Sequence, residues 1–394
     1  MRILQVVRDM HPREGGPPRV VAGASAALAE LGHTVTIAAS VRPGEEAAVR
    51  TAWPELAASG VALQLFRASQ PLALGGSADL TAYMRNTMPQ FDVAHLHGVW
   101  DGCQIATARA ARRSGRPYFV SPHGMLDRWS MARSYWKKWA VLHLAGGRPF
   151  LDHAARFVFG TDEEADEAAA LRFQAPTCIV ANGVAPTLIA QPDPAAKARL
   201  HAALPQTAHW SRTVLFYSRL HPKKGVDLLI AAFAEVAAVF PDTGLLVAGI
   251  PQDSAYTAGL HAQIVATGLS ERIILTTDFA GPDSRFLLDA ADIFALPSHQ
   301  EGFSMAIIEA MGRSLPVLIT DRCHLPEVAT LAAGRVVTPT VAGLAEGLRD
   351  LLSRTPAALS AAGAAGQTLV AARYTWPQVA QRLVEHYTHA VSKA

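Results

Sequence analysis

Glu301-Gly302-Phe303-Ser304-Met305-Ala306-Ile307-Ile308-Glu309 sets two carboxylates eight positions apart, around a glycine, a small hydroxyl residue and an apolar run. Upstream, residues 291–298 (Ala-Asp-Ile-Phe-Ala-Leu-Pro-Ser) read as a short strand closed by proline. Downstream, Ala310-Met311-Gly312 and then Leu315-Pro316-Val317-Leu318-Ile319 read as a helix end followed by a buried strand. Strand, acidic loop, helix, strand is half of a parallel α/β unit. Ligands of such sheets sit at the carboxyl ends of strands and at helix N-termini. Glu301 falls in the loop and Glu309 in the helix. At ~1.5 Å rise per residue they stand on the order of 12 Å apart. That is too far for one shared proton or one metal ion, and it suits two ends of one long ligand.

The same alternation extends in both directions. Residues 3–7 form a first strand, followed by a turn-rich loop holding Gly15 and Gly16, a helical stretch over 19–31 and a β-branched strand over 34–39. Strands over 61–66, 93–96, 118–121, 156–160 and 178–181 alternate with helical stretches, and His97, His123 and Asn182 stand just past three of them on one expected rim. A polar, proline-rich stretch over 185–206 reads as a linker, after which strand and helix signals restart at Val214. Two mostly parallel α/β units follow from this pattern, in keeping with 394 residues. The expected domains are 1–186 and 187–374, with a final helix, 375–394, crossing back to the first.

The chain is half hydrophobic, enough for sizeable cores, and its 35 basic and 33 acidic residues argue against nucleic acid as the main partner. Cys103, Cys178 and Cys323 are scattered, so neither a disulfide framework nor a zinc site is expected. Arg8 and Asp9 interrupt the first apolar run too early for a secretory signal, and no run approaches the ~18 apolar residues of a membrane span. A reducing cytoplasm is the expected location. No D-x-D, H-x-x-x-H, Walker loop or G-x-S-x-G elbow occurs.

Arg219 and Lys224 lie in a loop after a buried strand, where a guanidinium and an ammonium suit a diphosphate; a solvated basic turn is the alternative. His123 follows an apolar strand and can donate to an oxygen or exchange a proton, unless it is a structural histidine. Residues 125–150 interleave Arg128, Arg133, Lys137 and Lys138 with Trp129, Tyr135, Trp136 and Trp139, which include three of the seven tryptophans. Such a helix can lie on an anionic membrane surface or grip a lipid-linked acceptor; alternatively, its aromatics pack inward and its bases face water.

Together, the E-x7-E element, Arg219 with Lys224, the Gly15-Gly16 loop and Pro122-His123-Gly124 resemble the retaining GT-B glycosyltransferases of family four, over nearly the whole chain. The stretches 121–127 and 320–327 resemble the bacterial branch that builds exopolysaccharide, capsule and related lipid-linked glycans. The resemblance implies two Rossmann-like domains forming a cleft, with the donor on the C-terminal domain and the acceptor on the N-terminal one. It implies that Glu301 contacts the donor sugar, Glu309 the ribose, and the backbone of Gly302, Phe303, Ser304 and Met305 the sugar and diphosphate. Arg219 and Lys224 would neutralise the leaving diphosphate, Gly15 and Gly16 would close on it, and His123 would lie near the reacting carbon. Ser304 replaces a glycine found in many members, which leaves the donor open between GDP-mannose and a UDP-sugar.

The implied reaction moves a hexose, with retention, to a glycan or polyprenyl-linked glycan acceptor. It requires no cofactor and no metal, because two fixed cations and a helix N-terminus can stabilise the leaving group. No second carboxylate is evident for a covalent intermediate, so a front-face displacement is expected. A nucleotide-sugar epimerase on the same fold and a non-catalytic nucleotide-sugar-binding regulator are the rival readings. The basic-aromatic stretch makes the inner face of the cytoplasmic membrane a candidate peripheral contact.

Overall fold

Short apolar runs, rich in β-branched residues and punctuated by glycine and proline, become strands buried on both faces. The computed structural model describes residues 1–68, 77–190, 192–279 and 285–393, without the side chain of Trp129. The chain divides into two compact units, Met1–Gly183 with Thr375–Ala394, and Val184–Tyr374.

In the first unit the strands are β1 (Arg2–Asp9), β2 (Thr34–Val41), β3 (Ala62–Arg67), β4 (Val93–His97), β5 (Tyr118–Ser121), β6 (Arg156–Phe159) and β7 (Thr177–Ile179). Among the described residues they form one parallel sheet in the order β3-β2-β1-β4-β5-β6-β7. The second unit holds β8 (Arg212–Tyr217), β9 (Thr243–Ala248), β10 (Ile273–Thr276), β11 (Ile293–Leu296), β12 (Val317–Thr320) and β13 (Gly334–Val337). Their order is β10-β9-β8-β11-β12-β13, again parallel. Strand order reverses between β1 and β4 and between β8 and β11. Loops leaving adjacent strands at such a reversal diverge to opposite faces and open a crevice at the carboxyl rim.

The expected linker is more structured than its composition suggests. Pro186–Leu188 is a 3-10 turn, and Ala196–Ala203 is a helix that packs on the helix Phe286–Ala290. Its buried residues Ala196 and Leu200 lie four apart, one helical turn. The bidentate pair Arg313–Asp289, at 2.6 and 2.7 Å, anchors the segment, since Arg313 also donates to Leu188 O and Asp289 accepts from Asp193 N.

The last helix, Trp376–Val391, belongs to the first unit. It buries Val379, Ala380, Leu383 and Tyr387, a stripe at helical spacing, and packs on the helix Gly16–Glu30. The Trp376 indole occupies the space beside two glycines. A Cβ at Gly23 would stand 2.1 Å from Trp376 Cε2, and one at Gly183 2.7 Å from Cε3. Gly23→Ala should therefore lower the thermal midpoint, with an overpacking cost of about 1–3 kcal/mol. Trp376→Ala in the same chain should make that substitution nearly neutral, as differential scanning calorimetry of both variants would report.

Candidate functional site

The second unit brings the two singled-out loops side by side, because β8 and β11 are neighbours at the strand-order reversal. After β8 the chain passes Ser218 and Arg219 into the 3-10 turn Pro222–Lys224, then Gly225 opens the helix Val226–Val236. Gly225 has φ +65°, and a Cβ there would lie 2.3 Å from Pro297 O of the neighbouring loop. His299 N donates to Lys223 O at 2.9 Å, a second stitch between the loops.

Lys224 and Glu301 meet across this seam. Lys224 Nζ lies 2.5 Å from Glu301 Oε1, and both side chains are about 9% exposed. Ser298 Oγ donates to the same Oε1 at 2.5 Å, and Ser298 O accepts from Thr320 Oγ1. Glu301 N donates to Arg322 O at 3.0 Å. Among the described residues nothing donates to Oε2. A lysine ammonium has three donors, so this pairing leaves capacity for a further anion. Beneath the cluster, burial and the Glu301 charge push the Cys323 thiol up to about 12, which keeps it protonated.

Past Glu301, Gly302 has open space where a Cβ would stand. The Phe303 ring lies against Tyr374, with centroids 5.5 Å apart. Ser304 is the N-cap of the helix Met305–Gly312, but its side chain makes no capping bond. The first amides of that helix thus point outward uncapped, with the positive end of its dipole. Glu309 sits half-buried within this helix, whose other face buries Ile307, Ile308, Ala310 and Met311. Arg219 is exposed and donates to Gln252 Oε1 at 3.1 Å.

In the first unit the loop after β1 carries Gly15 and leads into the helix that begins at Gly16, while His97 ends β4 and His123 follows β5. Gly15 has φ +85°, and neither glycine has a neighbour within 4 Å of a would-be Cβ, so Gly15 serves backbone geometry and not packing. His123 is itself left-handed, with φ +52°, and Gly124 follows at φ +73°. Three contacts hold this unusual turn: Gly124 N donates to Glu164 Oε1 at 2.6 Å, Ser130 Oγ donates to Gly124 O, and the His123 ring stacks on His97 at 5.2 Å. Glu164 Oε2 also accepts from Gly160 N, and burial raises its pKa.

His97 shares the sequence context of His123, and its Nδ1 lies 2.9 Å from His123 Nε2 while its Nε2 lies 2.7 Å from Gln5 Oε1. Gln5, Ser298, Glu164 and Tyr387 escaped the sequence reading altogether. The one visible signal was Gln5 itself, an amide inside the apolar run Ile-Leu-Gln-Val-Val.

Residues 125–150 are not one helix. Arg128–Ala132 and Tyr135–Leu144 are separated by Ser134 at φ +53°. The second helix exposes Trp136 (76%), Leu144 (75%), Tyr135 (52%) and Trp139 (40%), so these aromatics do not pack inward. Arg128, Arg133 and Lys137 are also exposed. Lys138 departs from the expectation: its ammonium donates to Ser130 O and lies 5.3 Å from the Trp100 ring centroid. The Trp129 side chain lies outside the described residues. No helix among those described is long and apolar enough to cross a membrane.

Residues 206–366 match the family described as glycosyl transferases group 1, and residues 14–188 match Glycosyltransferase Family 4. Both are glycosyltransferase family models, and together they cover most of the chain. The Corynebacterium glutamicum GDP-mannose-dependent monoacylated alpha-(1-6)-phosphatidylinositol monomannoside mannosyltransferase is 35% identical over 174 residues, 42% of this chain and 44% of that one. The D-inositol 3-phosphate glycosyltransferase of Thermobispora bispora is 29% identical over 318 residues, 77% of this chain and 72% of that one. The glycosyltransferase fold is shared with Anabaena HepE, solved in complex with UDP and glucose, at TM-score 0.77 and 21% identity over 99% of this chain and 100% of that one. The chain thus spans under half the length of the Corynebacterium relative.

The buried histidines of the first unit make its stability depend on pH. Burial lowers the pKa of His123 to about 4 and of His95 to about 3, and holds His97 well below its ordinary value. The unfolded chain binds protons at these sites below about pH 6.5, whereas the folded chain does not until far lower. Stability is therefore complete above about pH 6.5 and falls as pH drops toward about 4, by up to ~1.4 kcal/mol per pH unit per histidine. Urea midpoints measured across that interval should fall with acid, and His95→Gln should flatten the slope.

Proposed function

We propose that the protein transfers a hexose from a nucleotide-diphosphate sugar, GDP-mannose or a UDP-sugar, to a glycan or polyprenyl-linked glycan acceptor, with retention, in bacterial surface polysaccharide synthesis. The observation that carries this reading is the Lys224–Glu301 pair, fixed by Ser298 across the β8/β11 switch point beside an uncapped helix N-terminus. One ammonium proton holds Glu301 in place, and the others face the leaving diphosphate together with the Arg219 guanidinium and the amides after Ser304. Glu301 Oε2 accepts hydroxyls of the donor sugar, and Glu309 accepts those of the ribose. Gly15 and Gly16 permit close backbone approach to phosphate oxygens. His123 is the first unit's contribution to the sugar.

The step is a front-face displacement. The acceptor oxygen bonds to the anomeric carbon on the face from which the phosphate oxygen departs, and the acceptor proton passes to that departing oxygen. Fixed cations and dipoles stabilise the developing charge, so the step needs no metal. The two relatives, one named as a GDP-mannose-dependent mannosyltransferase of a phosphatidylinositol mannoside and the other as a D-inositol 3-phosphate glycosyltransferase, support a nucleotide-sugar donor and a polar or lipid-linked acceptor.

A panel of GDP- and UDP-sugars screened by thermal shift should raise the melting temperature for the true donor alone, by mass action. With that donor and an acceptor, Glu301→Gln should lower kcat/KM by roughly 100-fold or more. Lys224→Met should weaken UDP or GDP binding by on the order of 10-fold or more, the effect of unpairing a buried charge. Epimerised donor formed without acceptor would defeat the transferase reading, and unchanged activity of Glu301→Gln would remove Glu301 from it.

We also propose that the helix Tyr135–Leu144 rests on an anionic membrane surface, supported by four exposed apolar side chains beside Arg128, Arg133 and Lys137. Anionic liposomes should float the wild type and lose a variant carrying Trp136→Ala with the three bases neutralised. Lys138→Gln should float like the wild type, since its ammonium is turned inward.

A further inference from the structure

Residues alternate in facing along a strand. Gln5 therefore shares the face of Ile3 and Val7, and His95 and His97 share that of Val93, all on the side of the core that holds Tyr387. Ser121 follows Phe119 onto the same face. Gln5 and Tyr387 are fully buried, and His95 and His97 nearly so. A polar cluster thus lies under the helix Trp376–Val391 and leads to His123.

The contacts form a line. Ser121 Oγ lies 2.8 Å from His95 Nε2, and His95 Nδ1 lies 2.6 Å from the Tyr387 hydroxyl. The Gln5 side chain also interacts with that hydroxyl. Gln5 then meets His97 at 2.7 Å, and His97 meets His123 at 2.9 Å. A neutral imidazole has one N–H and one lone pair, so each histidine in the line must accept on one side and donate on the other. The direction of the line is set where the ambiguity is broken, at the Gln5 amide.

With the Gln5 oxygen toward His97, the amide nitrogen is buried without completing a hydrogen bond. A buried donor left unmade costs ~1–3 kcal/mol, and buried N–H groups go unpaired more rarely than buried oxygens. The two ends of an amide exchange by a half-turn that leaves the heavy atoms in place. We propose that Gln5 is turned over, with Nε2 donating to His97 and Oε1 facing the Tyr387 hydroxyl, and that this fixes the tautomer of His123.

The protons then run one way. Ser121 O–H donates to His95 Nε2, His95 Nδ1–H to Tyr387, Tyr387 O–H toward Gln5, Gln5 N–H to His97 Nε2, and His97 Nδ1–H to His123 Nε2. His123 keeps its own proton on Nδ1, at the end of the line. It is a neutral N–H donor suited to a hydroxyl or ring oxygen, not a base. Gln5 is a positioning residue that acts through His97, and Tyr387 holds the amide in its working orientation. The consequence for catalysis rests on the transferase reading above; the tautomer does not.

The test is a long-range proton–nitrogen correlation on the full chain labelled with 15N-histidine, without nucleotide sugar. His123 should show a bare Nε2 and a protonated Nδ1 as a single form at neutral pH. The opposite tautomer, or a mixture, overturns the proposal. Gln5→Met is nearly isosteric and cannot donate, so His123 should become a mixture of tautomers; a retained single Nδ1–H form removes Gln5 from the role. In that variant kcat/KM should fall by about 10-fold, the worth of one hydrogen bond, with UDP or GDP affinity unchanged. If Gln5→Met fails to fold, the wild-type spectrum alone decides. The expected tautomer in a protein that transfers sugar to no acceptor supports the relay and sinks the transferase reading.

Discussion

A parallel sheet covered on both faces leaves polar chemistry almost nowhere to go except its carboxyl rim. Every backbone donor and acceptor in the interior is consumed by neighbouring strands, and the side chains above and below are apolar apart from the line from Ser121 to Gln5. The end of β4 and the loops after β1, β5, β8 and β11 therefore carry His97, Gly15, His123, Lys224 and Glu301 because the fold offers those positions and few others. The strand-order reversal does the rest, since it separates adjacent crossovers and leaves the rim open at two points.

Within the second unit, the ion pair at that rim is costly in itself. Two charges withdrawn from water are repaid only when the geometry is good and the remaining valences are met. Here Ser298 and Thr320 complete the geometry around one carboxylate oxygen, while the other oxygen and part of the ammonium are left over. An arrangement built only for stability would satisfy both. The leftover capacity is what the proposed donor, with its own anion and its own hydroxyls, would meet.

Much of this was legible from local patterns. Short continuous apolar runs between Gly- and Pro-rich loops pointed to the parallel sheets, and E-x7-E with R-x4-K placed two loops whose adjacency only the strand order reveals. What was illegible depends on contacts distant in sequence. Ser298 is an ordinary loop serine until Glu301 folds over it. The linker's helix is stabilised by tertiary partners, Asp289 and Arg313, that no local propensity encodes. Lys138 looked like one more surface base, and only its neighbour Trp100 turns it inward. His97 and Gln5 were hidden because a polar residue inside a strand has a meaning only once the opposite wall, here Tyr387, is known.

The wedge of Trp376 between Gly23 and Gly183 has a consequence for the order of events during synthesis. The helix that covers one face of the first sheet is encoded after the whole of the second unit. While the ribosome makes residues 184–374, the first unit waits with an apolar groove and the polar line from Ser121 to Gln5 uncovered. The second unit, continuous in sequence, has no such delay. Nascent chains thus pass through an interval in which the second unit is complete and the first is open, and this is the interval in which a chaperone has something to protect.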